Sequence, residues 1–351
     1  MKIENWIKPE IISQSAYKVK TLKYKIKLNQ NENPFDINED LKVQITNKLK
    51  LSSWNRYPDL TAQNLRKKIA RINGLESGNI IVGKGSNEVL QAISVACLER
   101  GKSLLTLAPT FSIYQMLAEQ HGADLILCLL DENFKLNNMD LIRKAKKANL
   151  VILCNPNSPT GTKLNKNNIL DVIKSTNGLV VVDEAYFEFC DESCIDLLHG
   201  NKNLIITRTF SKIFGLAAFR GGYAMMSSSL AEQIQKCMLP FNMDLPTSIA
   251  MSTLLDNPSI INKYTKEIIK LRDKLISDIN KIDGFQALPS YTNFFLVKSK
   301  IDPKNLFNHL GDRGILIRDV SNYHGCKDFI RVSVGSVSEN HELLVAFEEL
   351  R

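Results

Sequence analysis

Apolar runs of strand length alternate with stretches of helical periodicity through the middle of the chain. Residues 79–82, 103–107, 124–127, 149–153, 179–182 and 204–206 are apolar along nearly their whole length, as strands buried on both faces are. The stretches between them carry apolar residues at helical spacing, and this alternation predicts a mostly parallel α/β sheet flanked by helices. Residues 246–282 read as mainly helical and link this part to the C-terminal segment. The expected division is a large domain over residues 31–244 and a smaller α+β domain made of residues 1–30 and 245–351. In open parallel sheets ligands collect beyond the carboxyl ends of the strands, so the residues following each apolar run are where chemistry is sought.

Composition narrows the classes. With 351 residues and ordinary apolar and charged fractions, the chain can bury a large core and a smaller one. Its formal net charge is +8, but the lysines are dispersed and no zinc-finger or RNA-binding motif accompanies them. The charge therefore reads as solubility with attraction for small anions, and no nucleic-acid partner is expected. Seven cysteines lie scattered without a CxxC pair, and no secretory signal is seen at the N-terminus, which predicts reduced thiols in a cytoplasmic protein. No apolar run reaches the roughly 18 residues of a membrane helix, and the five histidines show no ligand spacing, so no membrane and no metal are expected.

The strand ends carry a distinctive set of side chains. Gly83-Lys84-Gly85-Ser86-Asn87-Glu88 opens a helical stretch, with Ser86 the expected N-cap and the amides that follow it free to meet a phosphate. Phe111 follows the next strand and can stack on a flat heterocycle. The run 155–161, Asn-Pro-Asn-Ser-Pro-Thr-Gly, is too rich in turn residues to continue a strand or helix. Asp183, in Asp-Glu-Ala-Tyr, puts an acid at the end of an apolar strand, where a carboxylate is costly unless a cation meets it. Tyr186 stands three positions on. In Thr209-Phe210-Ser211-Lys212, the lysine sits among small and apolar neighbours that can hold it uncharged enough to attack an aldehyde. Thr209 and Ser211 offer hydroxyls, and Arg220 a guanidinium fork, to a phosphate. Taken singly, each of these segments also fits an ordinary structural role.

Together, in order and spacing, they resemble the fold-type I pyridoxal-phosphate enzymes, aminotransferase classes I and II, over nearly the whole chain. The resemblance implies pyridoxal 5'-phosphate as cofactor, held covalently by Lys212, with Asp183 on the pyridinium nitrogen, Tyr186 on the ring hydroxyl and Phe111 stacked on the ring. It places the phosphate against Ser86, Asn87, Thr209, Ser211 and Arg220. Tyr57, in Arg56-Tyr57-Pro58-Asp59, matches a tyrosine that reaches the partner subunit's cofactor, which implies a homodimer. The family usually has asparagine immediately before Pro-Thr-Gly; Ser158 stands there and Asn157 one residue earlier, so either is a candidate contact to the ring. Ala218 replaces a common glycine.

The ends of the chain bear on substrate. Residues 28–35, Leu-Asn-Gln-Asn-Glu-Asn-Pro-Phe, resemble the opening of the histidinol-phosphate aminotransferases, and the segments around Arg318 and Arg331 resemble that family's two arginine-bearing segments. This resemblance implies amino transfer between histidinol phosphate and 2-oxoglutarate, giving imidazole-acetol phosphate and glutamate, with both arginines on the substrate. A threonine-phosphate decarboxylase, a broader aromatic aminotransferase and a catalytically silent binding protein of the same fold are the alternatives.

Overall fold

The computed structural model describes residues 5–15, 23–190 and 192–350; the parts of the expected N-terminal arm at 1–4 and 16–22 lie outside the described residues. Along the chain come α1 (Pro9–Ile12), β1 (Ile26–Lys27), α2 (Glu39–Lys50), α3 (Gln63–Ile72), β2 (Ile80–Lys84), α4 (Ser86–Cys97), β3 (Ser103–Ala108) and α5 (Ile113–Gln120). There follow β4 (Asp124–Leu129), α6 (Asn138–Ala145), β5 (Leu150–Cys154), α7 (Lys166–Ser175), β6 (Leu179–Asp183), β7 (Leu204–Thr209), β8 (Gly221–Met226) and α8 (Ser228–Gln235). The last third contains α9 (Leu245–Leu255), α10 (Pro258–Ile279), β9 (Phe285–Ala287), β10 (Phe294–Ser299) and α11 (Pro303–Asp312). It ends with β11 (Ile315–Leu316), β12 (Arg318–Asp319), β13 (Phe329–Ser333) and α12 (Val337–Glu348).

Seven strands form the main sheet in the order β2-β8-β7-β6-β5-β3-β4. The pairs among β3, β4, β5, β6 and β7 are parallel, whereas β8 runs antiparallel between β2 and β7. The apolar runs did not signal β8, because its sequence, Gly-Gly-Tyr-Ala-Met-Met, opens on two glycines. Alternation along each strand divides the burial between two faces. Ile80 and Val82, Leu105, Val180 and Val182 belong to one core, while Ile81, Leu104 and Val181 belong to the core across the sheet.

A smaller four-stranded sheet, β12-β13-β10-β9, is antiparallel and packs on α10 and α12. The short β1 pairs in parallel with β11, which brings the loop after β1 against this smaller layer. Helix α9 buries Ala250, Met251 and Leu254 in the core of the main sheet, and α10 buries Ile261, Ile268 and Leu275 in the core of the smaller one. The two helices thus pack on different sheets, although Leu296, Val320 and Phe329 from the C-terminal segment join the core of the main sheet, and Tyr186 and Ile213 join that of the smaller one.

Local chemistry sets several helix starts. Asn38 accepts a hydrogen bond from the Leu41 amide at the head of α2, Asp244 does so from Thr247 at the head of α9, and Ser336 with Glu339 forms a capping box on α12. At α4 the expectation is corrected: Gly85, at φ 79°, is the N-cap and Ser86 is the first helical residue. The reason is close approach. A Cβ on Gly222 of β8 would collide with the Ser86 amide nitrogen, so the turn lies flat on the neighbouring strand and must take a left-handed conformation that glycine supplies.

Gly222→Ala is expected to cost about 3 kcal/mol, because backbone cannot move aside as a side chain can. The check is the thermal midpoint of the purified variant, and an unchanged midpoint would show that the turn yields.

Candidate active site

At the carboxyl edge of the main sheet, where the smaller sheet faces it, lies a cavity of about 350 Å³. The strand ends, the N-terminus of α4, the loop at 28–35 and the arginine strands β12 and β13 all contribute to its wall.

Asp183 ends β6 and Glu184 follows it, and the two adjacent carboxylates point to different places. Glu184 is sealed: it accepts hydrogen bonds from Arg208 Nε at 2.9 Å, from the Ser193 hydroxyl and from the Cys194 amide. Arg208 also lies over the Phe187 ring at 3.6 Å. Asp183 faces the cavity and is 3% exposed, and no salt bridge reaches it among the described residues. Its Oδ2 accepts from the Tyr114 hydroxyl at 2.7 Å and its Oδ1 from the Thr207 hydroxyl at 3.0 Å. Burial pushes its carboxyl above the usual range, against the hydrogen bonds from Tyr114, Thr207 and the Ala185 backbone that favour the anion. A cation placed in the cavity would complete this half-satisfied anion.

Lys212 stands on the turn after β7. Burial is the largest influence on its amine and Arg331 the next; with Arg220 and Lys27 they lower its pKa to about 7, while Glu32 pulls the other way. Its Nζ donates to the Gln30 carbonyl at 3.0 Å. The 28–35 loop makes two neighbouring contacts, one as acceptor and one as donor. The Asn29 carbonyl accepts from Arg331 Nη2 at 2.8 Å, and Asn31 Nδ2 donates to the Tyr186 hydroxyl at 3.0 Å.

Below the amine is an anion cradle. The amides at the start of α4 lead into the cavity beside Ser86 and Asn87. Arg220, itself at φ 57°, donates through Nη1 to the Ser211 hydroxyl at 3.1 Å. Thr209 accepts from the Ser211 amide at 3.1 Å. Gly85, at φ 79°, holds a left-handed backbone that favours glycine, and a Cβ there would also lie 2.9 Å from Arg220 Nη2 and push it aside. Phe111 lines the same cavity and meets Tyr114 edge-on at 5.6 Å.

Arg318 and Arg331 are directly opposed in the antiparallel pairing of β12 with β13. Opposed residues share a face of a sheet, and both arginines line the cavity. Arg331 also donates to the Ser158 hydroxyl at 3.2 Å.

Two sequence candidates are not brought into this cavity. Asn157 is turned into its own loop, donating to the Pro109 carbonyl and the Thr160 hydroxyl and accepting from Thr110; Ser158 lines the cavity in its place. Tyr57 is 81% exposed and stacks on Phe241 at 4.6 Å, away from Lys212. Sequence reading passed over Tyr114, Thr207, Cys154 and Tyr323, and it took Asn29 and Gln30 only as part of the 28–35 resemblance, without the carbonyl contacts to Arg331 and Lys212. Tyr114 had a signal, three positions after Phe111 on a helix, and so did Thr207, a polar residue in an apolar strand. For Cys154 and the loop carbonyls there was none.

The chain matches the sequence profile described as Aminotransferase class I and II over residues 23–347. It belongs to that family. It is 36% identical over 351 residues to the histidinol-phosphate aminotransferase of Thermoanaerobacter pseudethanolicus, with 99% of each chain covered. Its fold is similar to the crystal structure of the histidinol-phosphate aminotransferase from Clostridium acetobutylicum, at 26% identity and a TM-score of 0.86, over 93% of this chain and 98% of that one. It is also similar to the enzyme of that name from Sinorhizobium meliloti, solved in complex with pyridoxal-5'-phosphate, at 24% identity and a TM-score of 0.88, over 98% of this chain and 97% of that one.

The family's cofactor is pyridoxal 5'-phosphate, and the cavity fits it on features of its own. A buried carboxylate lacks a cation, a recessed amine is held near neutrality, and a glycine-lined cradle offers amides and a guanidinium to an anion. Asn29 Oδ1 is buried at the same wall with no hydrogen-bond partner among the described residues. Among the described residues no group of His, Cys, Asp and Glu could hold a metal ion, and no helix is long and apolar enough to cross a membrane.

A lysine whose pKa falls on folding destabilises the fold. Between about 7 and 10.5 the unfolded chain binds more protons than the folded one, so the cost is complete below that window and fades as pH rises through it. Lys212→Met should raise the thermal midpoint of the cofactor-free protein more at about pH 6 than at about pH 9. Equal gains at the two values would show that the amine is not held near neutrality.

Proposed function

We propose that this aminotransferase moves the amino group of histidinol phosphate to 2-oxoglutarate, giving imidazole-acetol phosphate and glutamate. The observation that carries this reading is the pairing of Arg318 with Arg331 across β12 and β13, facing the cavity that contains Lys212. Two guanidinium groups on one face suit a dianion, which a substrate phosphate and a dicarboxylate both provide. The histidinol-phosphate aminotransferases that match along nearly the full chain support the same reading.

Pyridoxal phosphate supplies an aldehyde that takes up amines and a cationic ring that withdraws electrons. The chain's own residues do the rest. Lys212, with its amine near neutrality, would hold the cofactor through its aldehyde and would take a proton from, and return it to, the substrate's amine-bearing carbon as base and then acid. Asp183 would keep the ring nitrogen protonated and Tyr186 would donate to the ring oxygen, with Ser158 lining the same cavity and Asn157 holding the loop. Ser86, Asn87, Thr209, Ser211 and Arg220 would hold the phosphate, and Phe111 would pack on the ring. Arg318 and Arg331 orient the substrate's anionic end.

A cytoplasmic homodimer completes the reading. Leu51, Trp54, Tyr57 and Leu239 are 89, 78, 81 and 78% exposed, and Trp54 and Tyr57 line one apolar hollow with Phe241 and Pro240. Large aromatic side chains clustered in water mark an association surface, and a second copy of the chain is the partner that the tyrosine resemblance names. The large domain then spans about residues 31–244 with α9 packed beneath it, and the small domain takes the N-terminal arm and the segment from α10 onward.

Mixing the holoenzyme with histidinol phosphate should change the visible absorbance of the bound cofactor in a single half-reaction, with phosphothreonine and phenylalanine giving little response. Carbon dioxide release from phosphothreonine, or an equal response to phenylalanine, would replace the assignment with a decarboxylase or a broad aromatic aminotransferase. Light scattering should give the mass of two chains, falling to one in the Trp54→Asp variant; a monomeric parent protein would remove the role proposed for Tyr57.

A further inference from the structure

Asn31 is 2% exposed and holds a left-handed backbone at φ 55°. Its peptide N–H donates to the Ser333 hydroxyl at 2.9 Å, and that hydroxyl donates back to Asn31 Oδ1 at 3.0 Å. Its carbonyl is held by Asn293 Nδ2 at 3.0 Å. With Oδ1 turned to Ser333, the other end of the amide, Nδ2, points at the Tyr186 hydroxyl at 3.0 Å. A tyrosine hydroxyl has one proton and accepts through its lone pairs. When a neighbour with only N–H groups occupies an acceptor position, the hydroxyl's own proton must go elsewhere. Tyr186 lines the cavity.

We propose that Asn31 is a positioning residue that sets the hydrogen-bond polarity of Tyr186, so that this hydroxyl donates into the cavity toward the cofactor's ring oxygen. The closed Asn31–Ser333 ring supplies the rigidity, because it opposes rotation of the amide that would present Oδ1 to the tyrosine and draw its proton away. Burial pushes the Tyr186 hydroxyl up to about 12, so it stays protonated and remains a donor through the working range. Arg331 and the Asn31 hydrogen bond act against that rise, whereas Cys154 and Asp183 add to it, and Lys212 Nζ lies 5.6 Å from the ring centre. Ser333 stands two residues beyond Arg331 on β13, so one asparagine ties the substrate-facing strand to the tyrosine that meets the cofactor.

The inference rests on the assignment of Tyr186 to the ring oxygen. The test is a pH titration of the holoenzyme's visible absorbance, in the parent, Tyr186→Phe, Asn31→Asp and the double variant. A hydrogen bond to the ring oxygen stabilises its anionic form, so Tyr186→Phe should raise the apparent proton affinity about tenfold. If Tyr186→Phe leaves the titration unchanged, the tyrosine assignment itself fails. Asn31→Asp, nearly isosteric but an acceptor toward Tyr186, should shift the midpoint in the same direction and add nothing in the Tyr186→Phe background. A shift that adds fully in the double variant reports only the new charge and overturns the proposal, as does no shift in the single variant. Should Asn31→Asp not fold, Ser333→Ala frees the same amide and is read in the same two backgrounds with the same outcomes.

Discussion

A carboxylate sealed at the end of an apolar strand sets the terms for the rest of the site. Asp183 is buried among Tyr114, Thr207 and Cys154, and neutral donors recover only part of what an anion loses on leaving water. Glu184, one residue on, shows what a closed solution looks like, with Arg208, Ser193 and the Cys194 amide around it. The difference between these adjacent acids is the difference between a structural ion pair and a position reserved for a ligand cation. The backbone at the end of β6 makes it possible, since the two adjacent side chains leave it in different directions.

The cations around the cavity are managed by backbone. Lys212 and Arg331 donate to the carbonyls of Gln30 and Asn29, neutral acceptors that position a charge without cancelling it. With Arg331 and Arg220 nearby and desolvation dominant, the amine is left near neutrality, where it can act as a nucleophile and as a base. A carboxylate at residue 29 or 30 would have raised its pKa instead. The loop that supplies these carbonyls is held by the smaller sheet through Leu28 and Ser333 and by Asn293, so the site is assembled where the smaller sheet faces the main one.

Much of the fold was legible because it rests on local periodicity. The six apolar runs became β2 to β7 with small changes at their ends, and the helical stretch after residue 245 became α9 and α10. The antiparallel β8 was not legible, since a strand's direction and its place between two others depend on what it pairs with. The start of α4 was misplaced by one residue because the contact that selects Gly85 as its cap comes from Gly222, far along the chain.

The sequence by itself determined the chemistry: a lysine in a small-residue turn, an acid ending an apolar run, a glycine turn before a helix and two arginines near the C-terminus. These are local patterns, each readable within a few residues. Only the tertiary structure decided which of them meet. Register in β12 and β13 opposes Arg318 to Arg331, packing of α5 on the sheet brings Tyr114 to Asp183, and the return of β13 beside the N-terminal loop joins Ser333 to Asn31. Such contacts join residues up to 302 positions apart, and what selects them is the burial of two cores against one another, a property of the whole chain that no short window contains.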